Sequence, residues 1–276
     1  MTPDQYCQER AAQSGSSFYY SFLFLPKEKR AAITALYAFC REVDDAVDEC
    51  SDAQIARIKL AWWREELGNL YRGQPQHPVS RALLPAVRHH DLPREQFEEI
   101  IDGMEMDLEH HRYADFKALQ LYCYRVASVV GQLAATVFGA SDRRTLKYAH
   151  DLGLAFQLTN IIRDVGEDAR RNRIYLPLDE LARFGVSEQD ILAGRHTPAF
   201  RALMAFQASR ARELYARALA QLPAADRRNQ RPGLAMSAIY QALLTEIERD
   251  GFQVLDRRTA LTPLRKLWLA WKTWVA

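Results

Sequence analysis

Apolar residues recur at three- and four-residue intervals along almost all of this 276-residue chain, and no run of alternating β-branched residues bounded by turns interrupts them. A period near 3.6 buries a single stripe only as an α-helix, so a sheet is excluded as the main architecture. The periodicity predicts helices over 28–49, 53–72, 78–90, 94–109, 115–138, 142–168, 197–221, 233–250 and 261–275. Turn-forming residues mark the breaks: Pro26, Gly73-Gln74-Pro75, Asp91-Leu92-Pro93, Gly139-Ala140-Ser141, Leu176-Pro177 and Pro232-Gly233. No break is long enough for a linker and no solenoid-period repeat is present, so the expected architecture is one all-α domain over 1–276.

Two acid clusters sit inside these helices, Asp44-Asp45-Ala46-Val47-Asp48 and Asp164-Val165-Gly166-Glu167-Asp168. Residues four apart share one helix face, so Asp44/Asp48 and Asp164/Asp168 are carboxylate pairs, each aimed in one direction. Two unit charges ~4 Å apart repel by roughly 4 kcal/mol at an effective dielectric of about 20. If folding sets the two helices face to face, only cations relieve that charge. Hard carboxylate oxygens suit Mg2+, which keeps several waters and bridges carboxylates to substrate phosphates. On the second helix Gln157, Asn160, Asp164 and Asp168 form one stripe that borders the apolar face of Leu154, Leu158, Ile161, Ile162 and Val165 rather than opposing it. A solvated face would lie opposite the core and would favour Lys and Glu over amides. On the first helix Tyr37, Arg41, Asp44 and Asp48 also share a face. Arg41 there fits an intrahelical salt bridge worth about a few tenths of a kcal/mol, or, beside a metal, a clamp for a diphosphate leaving group.

A formal net charge of +2 gives no field that would favour nucleic acid. Arg170, Arg171 and Arg173 nevertheless crowd the end of the second acid cluster, while Arg227, Arg228 and Arg231 read as a solvated loop. Cys7, Cys40, Cys50 and Cys123 show no CxxC spacing and read as reduced core thiols. No basic-then-apolar leader is visible at the start, and the stretch from Val126 to Ala140 is too short and too interrupted to span a bilayer, so a cytoplasmic location is expected. Near the other end Leu264, Leu267, Trp268, Trp271 and Trp274 or Val275 form an apolar stripe, with Arg265, Lys266 and Lys272 standing off it. Such a helix fits docking onto the domain or peripheral contact with the inner membrane face.

Three motifs, read in order, closely resemble the squalene/phytoene synthase family of head-to-head prenyltransferases. They are Tyr37-Ala38-Phe39-Cys40-Arg41-Glu42-Val43-Asp44-Asp45-Ala46-Val47-Asp48, Tyr122-Cys123-Tyr124-Arg125-Val126-Ala127, and Gln157-Leu158-Thr159-Asn160-Ile161-Ile162-Arg163-Asp164-Val165-Gly166-Glu167-Asp168. Ser17-Phe18 before them and Arg173-Ile174-Tyr175-Leu176-Pro177 after them match as well, so the resemblance covers nearly the whole chain. It implies an all-α isoprenoid (terpenoid) synthase fold with a central cavity, where three Mg2+ ions, or Mn2+ in their place, hold two prenyl diphosphates. Carried onto this chain, it makes Asp44, Asp48, Asn160, Asp164 and Asp168 metal-site residues. Tyr37, Arg41, Gln157, Arg163, Arg173, Tyr175 and Tyr240 become substrate contacts, together with the segment Ser14, Gly15, Ser16 and Ser17. Phe18, Val126, Ala127 and Val130 become cavity wall, and Tyr122 assists the cation chemistry. Two departures stand out: Ser16 replaces a basic residue common in the family, and Ser128 replaces a Gly, which would narrow the cavity locally.

The implied reaction ionises one allylic diphosphate; the second prenyl double bond attacks the cation and a cyclopropane closes, with released pyrophosphate or Tyr122 taking the proton. No GxGxxG or other dinucleotide signature is present, so NAD(P)H is not expected, as it would be for a complete squalene synthase using NADPH. Tyr19-Tyr20-Ser21-Phe22-Leu23-Phe24-Leu25-Pro26, Leu60-Ala61-Trp62-Trp63-Arg64-Glu65-Glu66, Pro75-Gln76-His77-Pro78 and the run from Arg265 to Lys272 look most like bacterial presqualene diphosphate synthases of hopanoid pathways. Two farnesyl diphosphates are therefore the expected substrates, with phytoene or dehydrosqualene synthesis as the alternative and downstream isoprenoid enzymes as partners. A helical scaffold whose acid pairs bind Ca2+ or nothing is the non-enzymatic reading. A cyclase acting on one diphosphate would usually carry an NSE-type motif, which is not seen.

Overall fold

The computed structural model describes residues 1–13, 21–22, 24–50 and 52–275, so Ser14, Gly15, Ser16, Ser17 and Phe18 lie outside the described residues. Helices follow one another as α1 Pro3–Gln13, α2 Lys27–Asp48, α3 Ala53–Tyr71, α4 Pro78–His90, α5 Arg94–Glu109 and α6 Phe116–Cys123. A π turn, Tyr124–Ser128, leads into α7 Val129–Phe138, and α8 Arg143–Arg170 is the longest helix described. Then come α9 Leu178–Phe184, α10 Glu188–Leu192, α11 Pro198–Gln221, α12 Ala224–Arg227, α13 Arg231–Arg249 and α14 Pro263–Val275. Among the described residues no strand forms, and a single bridge pairs Arg112 with Ile174.

Local chemistry sets the helix ends. Asp52, Asp115, Asp142 and Thr197 each accept a backbone N–H of the first turn that follows, and Gly139 and Gly185 close α7 and α9 in the left-handed region. The predicted helices match within a few residues, but 115–138 is not one uniform helix. Its π turn falls where the chain is squeezed from both sides: a Cβ on Gly103 of α5 would stand 2.7 Å from Val126, and one on Gly153 of α8 would stand 2.6 Å from the Ala127 carbonyl. The short helices α9, α10 and α12 carry too few turns to show a period, and α1, although 11 residues long, buries Cys7 and Ala11 alone and so has no apolar stripe. Arg227 ends α12 and Arg231 opens α13, so the expected loop is mostly helical, although Arg227 and Arg228 are indeed exposed.

Two hydrophobic cores result. One joins α1 to α5 with α7 around Leu36, Phe39, Leu60, Phe97 and Leu133; the other joins α6, α8, α11 and α13 around Tyr148, Leu158, Phe200, Tyr215 and Leu244. Each fully buried large side chain stabilises the fold by roughly 1.5–3 kcal/mol. The segment Phe116–Phe138 is long and apolar enough to cross a membrane by composition, but here it is a wall shared by both cores, with Val126 packed against each. All four cysteines are free; Cys7 and Cys123 are buried, and Cys40 and Cys50 partly so.

Candidate active site

Between the two cores lies a cavity of about 430 Å3. Residues late in α2, α8 and α13 (Arg41, Asp44, Gln157, Asn160, Arg163 and Tyr240) line one end, and Arg258 and Lys266 join them. Residues early in the same helices (Ile33, Tyr148 and Gly233) line the other, with Phe22 and Phe138. One end is thus charged and the rest largely apolar, with the buried amide Gln230 as a polar side chain in it, because α2, α8 and α13 all run toward the charged end.

On α2, Arg41 donates to Asp44 Oδ2 at 2.6 Å and to Asp45 Oδ1 at 2.5 Å, so the intrahelical bridge anticipated for it forms while the guanidinium still lines the cavity. Asp45 is turned inward and also meets Arg10 of α1 at 2.5 Å. Burial pushes the Asp44 carboxyl up to about 7; Arg41 opposes the shift, and the nearby charges of Asp48, Asp45 and Asp107 add to it. Asp48 accepts from Arg171 at 3.0 Å and from Arg173 at 3.1 Å. These two bonds join the first acid cluster to the end of the second: Asn172 takes a left-handed φ of 57°, and Arg173 N bonds Asp168 O at 2.9 Å.

On α8, Asp164 accepts from Arg163 Nε at 2.7 Å and from Arg258 Nε at 2.8 Å. Burial alone would raise its carboxyl, but Arg163 and Arg258 outweigh burial and hold it below the usual range. Asp168 has no such partner: burial and the Asp164 charge push it up to about 7 against Arg173 and Arg171. Asn160 gives its amide N–H to Gln157 at 3.3 Å, while its buried Oδ1 has no donor among the described residues. Among the described residues no three His, Cys, Asp or Glu side chains stand together as a ready-made metal cage, and Asp44, Asp48 and Asp164 are each turned to an arginine.

Beside the rim, Tyr122 OH donates to Asp107 Oδ2 at 2.9 Å and Tyr175 OH donates to Asp107 Oδ1 at 2.7 Å, with the two rings stacked at 5.2 Å. Burial raises Asp107 to about 6 despite these donors and Arg173. Burial, then the Asp107 charge, lifts the Tyr122 phenol well above its ordinary value, so it stays protonated.

Of the residues expected to bind substrate, Tyr37, Arg41, Val126, Ala127, Val130, Gln157, Arg163 and Tyr240 line the cavity, as do Asp44, Asn160 and Tyr122. Asp48, Asp164, Asp168, Arg173 and Tyr175 stand outside the lining, in the shell of ion pairs and hydrogen bonds around its charged end. Ser128 does not narrow the cavity: it is fully buried against α8, where its Oγ donates to His150 O at 2.8 Å. Two residues escaped the sequence reading, namely Asp107 and Arg258, and a third, Lys266, expected only as a basic residue beside the apolar stripe of the last helix, lines the cavity instead. The signal for Arg258 was Gly166 inside the acid motif. A side chain there would collide with the backbone of Val254 and Leu255, and Gly166 N instead bonds Val254 O at 3.2 Å, seating the segment that carries Arg258. Burial lowers the Lys266 ammonium, as do the charges of Arg163 and Arg258, which marks a cationic corner facing the acids.

An all-α cavity with acid-bearing helices across it is the architecture of an isoprenoid synthase. The squalene/phytoene synthase family model matches residues 11–265, and the chain belongs to that family. It is 37% identical over 274 residues to a phytoene synthase from Arthrospira platensis, covering 95% of this chain and 89% of that one. A crystal structure of a dehydrosqualene synthase with ligand superposes with a TM-score of 0.88 at 28% identity, over 98% of this chain and 95% of the other. Squalene synthase HpnC from Alicyclobacillus acidocaldarius gives a TM-score of 0.81 at 30% identity, over 91% and 94%.

Proposed function

We propose that this cavity joins two farnesyl diphosphates head to head into presqualene diphosphate, releasing pyrophosphate. The observation that carries the reading is the division of one hollow into a largely apolar length and a charged end, where half-buried carboxylates face arginines. A prenyl diphosphate has the same division.

The donor set fits divalent metal. Asn160 Oδ1 is a buried acceptor without a donor among the described residues, and Asp44 and Asp168 are carboxylates that burial and neighbouring acids raise and that added positive charge would relieve. Asp44, Asp48, Asn160, Asp164 and Asp168 would hold Mg2+, with substrate oxygens and water completing each shell. Bound there, Mg2+ supplies charge that stabilises departing pyrophosphate. The protein's own part is distinct. Arg163, Arg258, Lys266 and Arg41 meet diphosphate oxygens, and the guanidiniums do so with paired donors. The apolar wall keeps water from the allylic cation, and the Tyr37 ring face offers up to about 2 kcal/mol of cation–π stabilisation. Tyr122, protonated and donating to Asp107, positions the reacting chain, which leaves pyrophosphate to take the cyclopropyl proton.

A second reading, phytoene synthesis from two geranylgeranyl diphosphates, is favoured by the identity to a phytoene synthase. Incubation with Mg2+ and either diphosphate, with and without NADPH, separates the two by product. Presqualene diphosphate from farnesyl diphosphate regardless of NADPH is expected. Phytoene from the longer substrate alone overturns the assignment, and absence of pyrophosphate release from both leaves the scaffold reading.

The reading extends to a cytoplasmic enzyme resting on the inner membrane face through α14. Ala270 is buried and Trp274 meets Phe24 at 5.6 Å, so the helix docks on the domain; yet Leu264, Leu267, Trp268, Trp271 and Val275 are exposed and the helix has no acidic residue. Thirteen residues are too few to cross a bilayer but suit an interfacial helix. Co-sedimentation with anionic vesicles, lost in Trp268→Ala/Trp271→Ala, is the expected result; equal binding by that variant would refute the contact.

A further inference from the structure

The apolar end of the cavity has a polar atom at its bottom. Tyr148 is 1% exposed and lines the cavity, and its hydroxyl has no hydrogen-bond partner among the described residues. Across from it, a Cβ on Gly233 would stand 2.7 Å from that hydroxyl, so only glycine lets α13 come close enough to seat the ring. Phe22 and Phe138, with ring centroids 6.3 Å apart, close the same end.

The distance from rim to floor follows from the helix. Asn160 and Tyr148 are both on α8 and twelve residues apart, about 18 Å at ~1.5 Å per residue. Side chains and diphosphate occupy part of that length, and the remainder suits an extended farnesyl tail better than one with a further isoprene unit. The hydroxyl adds a second barrier. A tail that stops short leaves room for a water to satisfy it, whereas a longer tail expels the water and buries the hydroxyl unpaired.

We propose that the Tyr148 ring, seated against Gly233, is the floor that limits prenyl length, accepting farnesyl and rejecting geranylgeranyl diphosphate. The proposal rests on the condensation reading above and adds the residues that choose its substrate. The test is the ratio of kcat/KM for geranylgeranyl over farnesyl diphosphate, read by pyrophosphate release. Both substrates are measured on one preparation, so any loss of folded protein cancels. Tyr148→Leu deepens the cavity and should raise the ratio roughly tenfold or more. Tyr148→Phe keeps the ring and removes only the polar barrier, so it should raise the ratio less. Gly233→Ala presses the ring inward and should lower it. A ratio in Tyr148→Leu that stays within about twofold of wild type, with farnesyl diphosphate still consumed, overturns the floor and leaves the condensation standing. A wild type that itself prefers the longer substrate overturns the floor as well. Wild type that releases pyrophosphate from neither refutes the condensation, and the floor with it.

Discussion

Asp44 and Asp164 each open an acid pair, yet their carboxyls are displaced in opposite directions, Asp44 up to about 7 and Asp164 below its usual range. Burial raises both; the difference is countercharge. Asp44 has Arg41, which it shares with Asp45, and it feels Asp48 and Asp107 as well. Asp164 has Arg163 on one side and Arg258 on the other. Countercharge thus outweighs burial at Asp164 and falls short of it at Asp44. Both clusters leave one acid raised at the cavity's charged end, Asp44 in one and Asp168 in the other, and a metal bridging the clusters would relieve both.

The largest expected effect breaks both halves at once. Asp44→Asn and Asp164→Asn each remove the charge of a proposed metal ligand without changing size, and each should cost on the order of 100-fold or more in kcat, the scale seen when one preorganised charge-stabilising group is lost. Helicity should be retained in both. Steady-state pyrophosphate release decides the matter, and a wild-type rate in either variant refutes its role as a ligand.

The acid pairs were legible because spacing of four on a helix fixes their common face whatever the fold, and the amides Gln157 and Asn160 marked that face as something other than solvated surface. Asp107 was not legible. It shares α5 with Glu98, Glu99, Asp102, Glu105 and Glu109, so on composition it reads as one more surface acid, and only packing shows that it alone of these is buried. Arg258 and Lys266 were hidden for another reason. Arg258 lies beyond the periodic segments and reaches the cavity through the seating of the 254–255 backbone on Gly166, while Lys266 does so through the packing of α14 on α13, and both are tertiary contacts. The π turn was invisible because the apolar pattern runs through Tyr124–Ser128 unchanged. Ser128 was misread since a one-residue shift in winding decides whether a side chain meets the cavity or α8.

Stability against pH sharpens the same comparison without using activity. Asp44 and Asp168 rise from an ordinary value near 3.8 to about 7, so between those values the folded chain holds more protons than the unfolded one, and stability falls as pH rises through that window. Asp164 runs the other way: its contribution is present above the ordinary carboxylate range and is lost as pH falls through its lowered folded value. Metal-free Asp44→Asn should therefore melt at or above wild type near pH 8 and show a flatter decline from pH 5 upward, by on the order of 1 kcal/mol after discounting for its 34% exposed side chain. Asp164→Asn takes one carboxylate from Arg163, which keeps Tyr240, and from Arg258, which keeps Glu167 at 3.4 Å, and should be less stable by about 1–2 kcal/mol at neutral pH. Mg2+ with pyrophosphate should raise the wild-type melting temperature and much less that of Asp44→Asn. Equal pH slopes for wild type and Asp44→Asn would count against the countercharge account.

The smallest effect concerns the middle acid of the first cluster. Asp45 does not line the cavity; it is buried between Arg41 and Arg10, and Arg10 also meets Glu42 at 2.8 Å, so these contacts fasten α1 to α2. Arg10→Ala leaves two partly buried carboxylates short of a partner and should cost about 1 kcal/mol, because Arg41 remains on Asp45 and water reaches Glu42. Turnover should fall by no more than about threefold, since neither Arg10 nor Asp45 faces the diphosphate end of the cavity. Urea unfolding gives the first number and pyrophosphate release the second. A loss of turnover as deep as that of Asp44→Asn would mean that the first cluster acts through Asp45 as well, and that the division between a structural and a ligating acid within one motif is false.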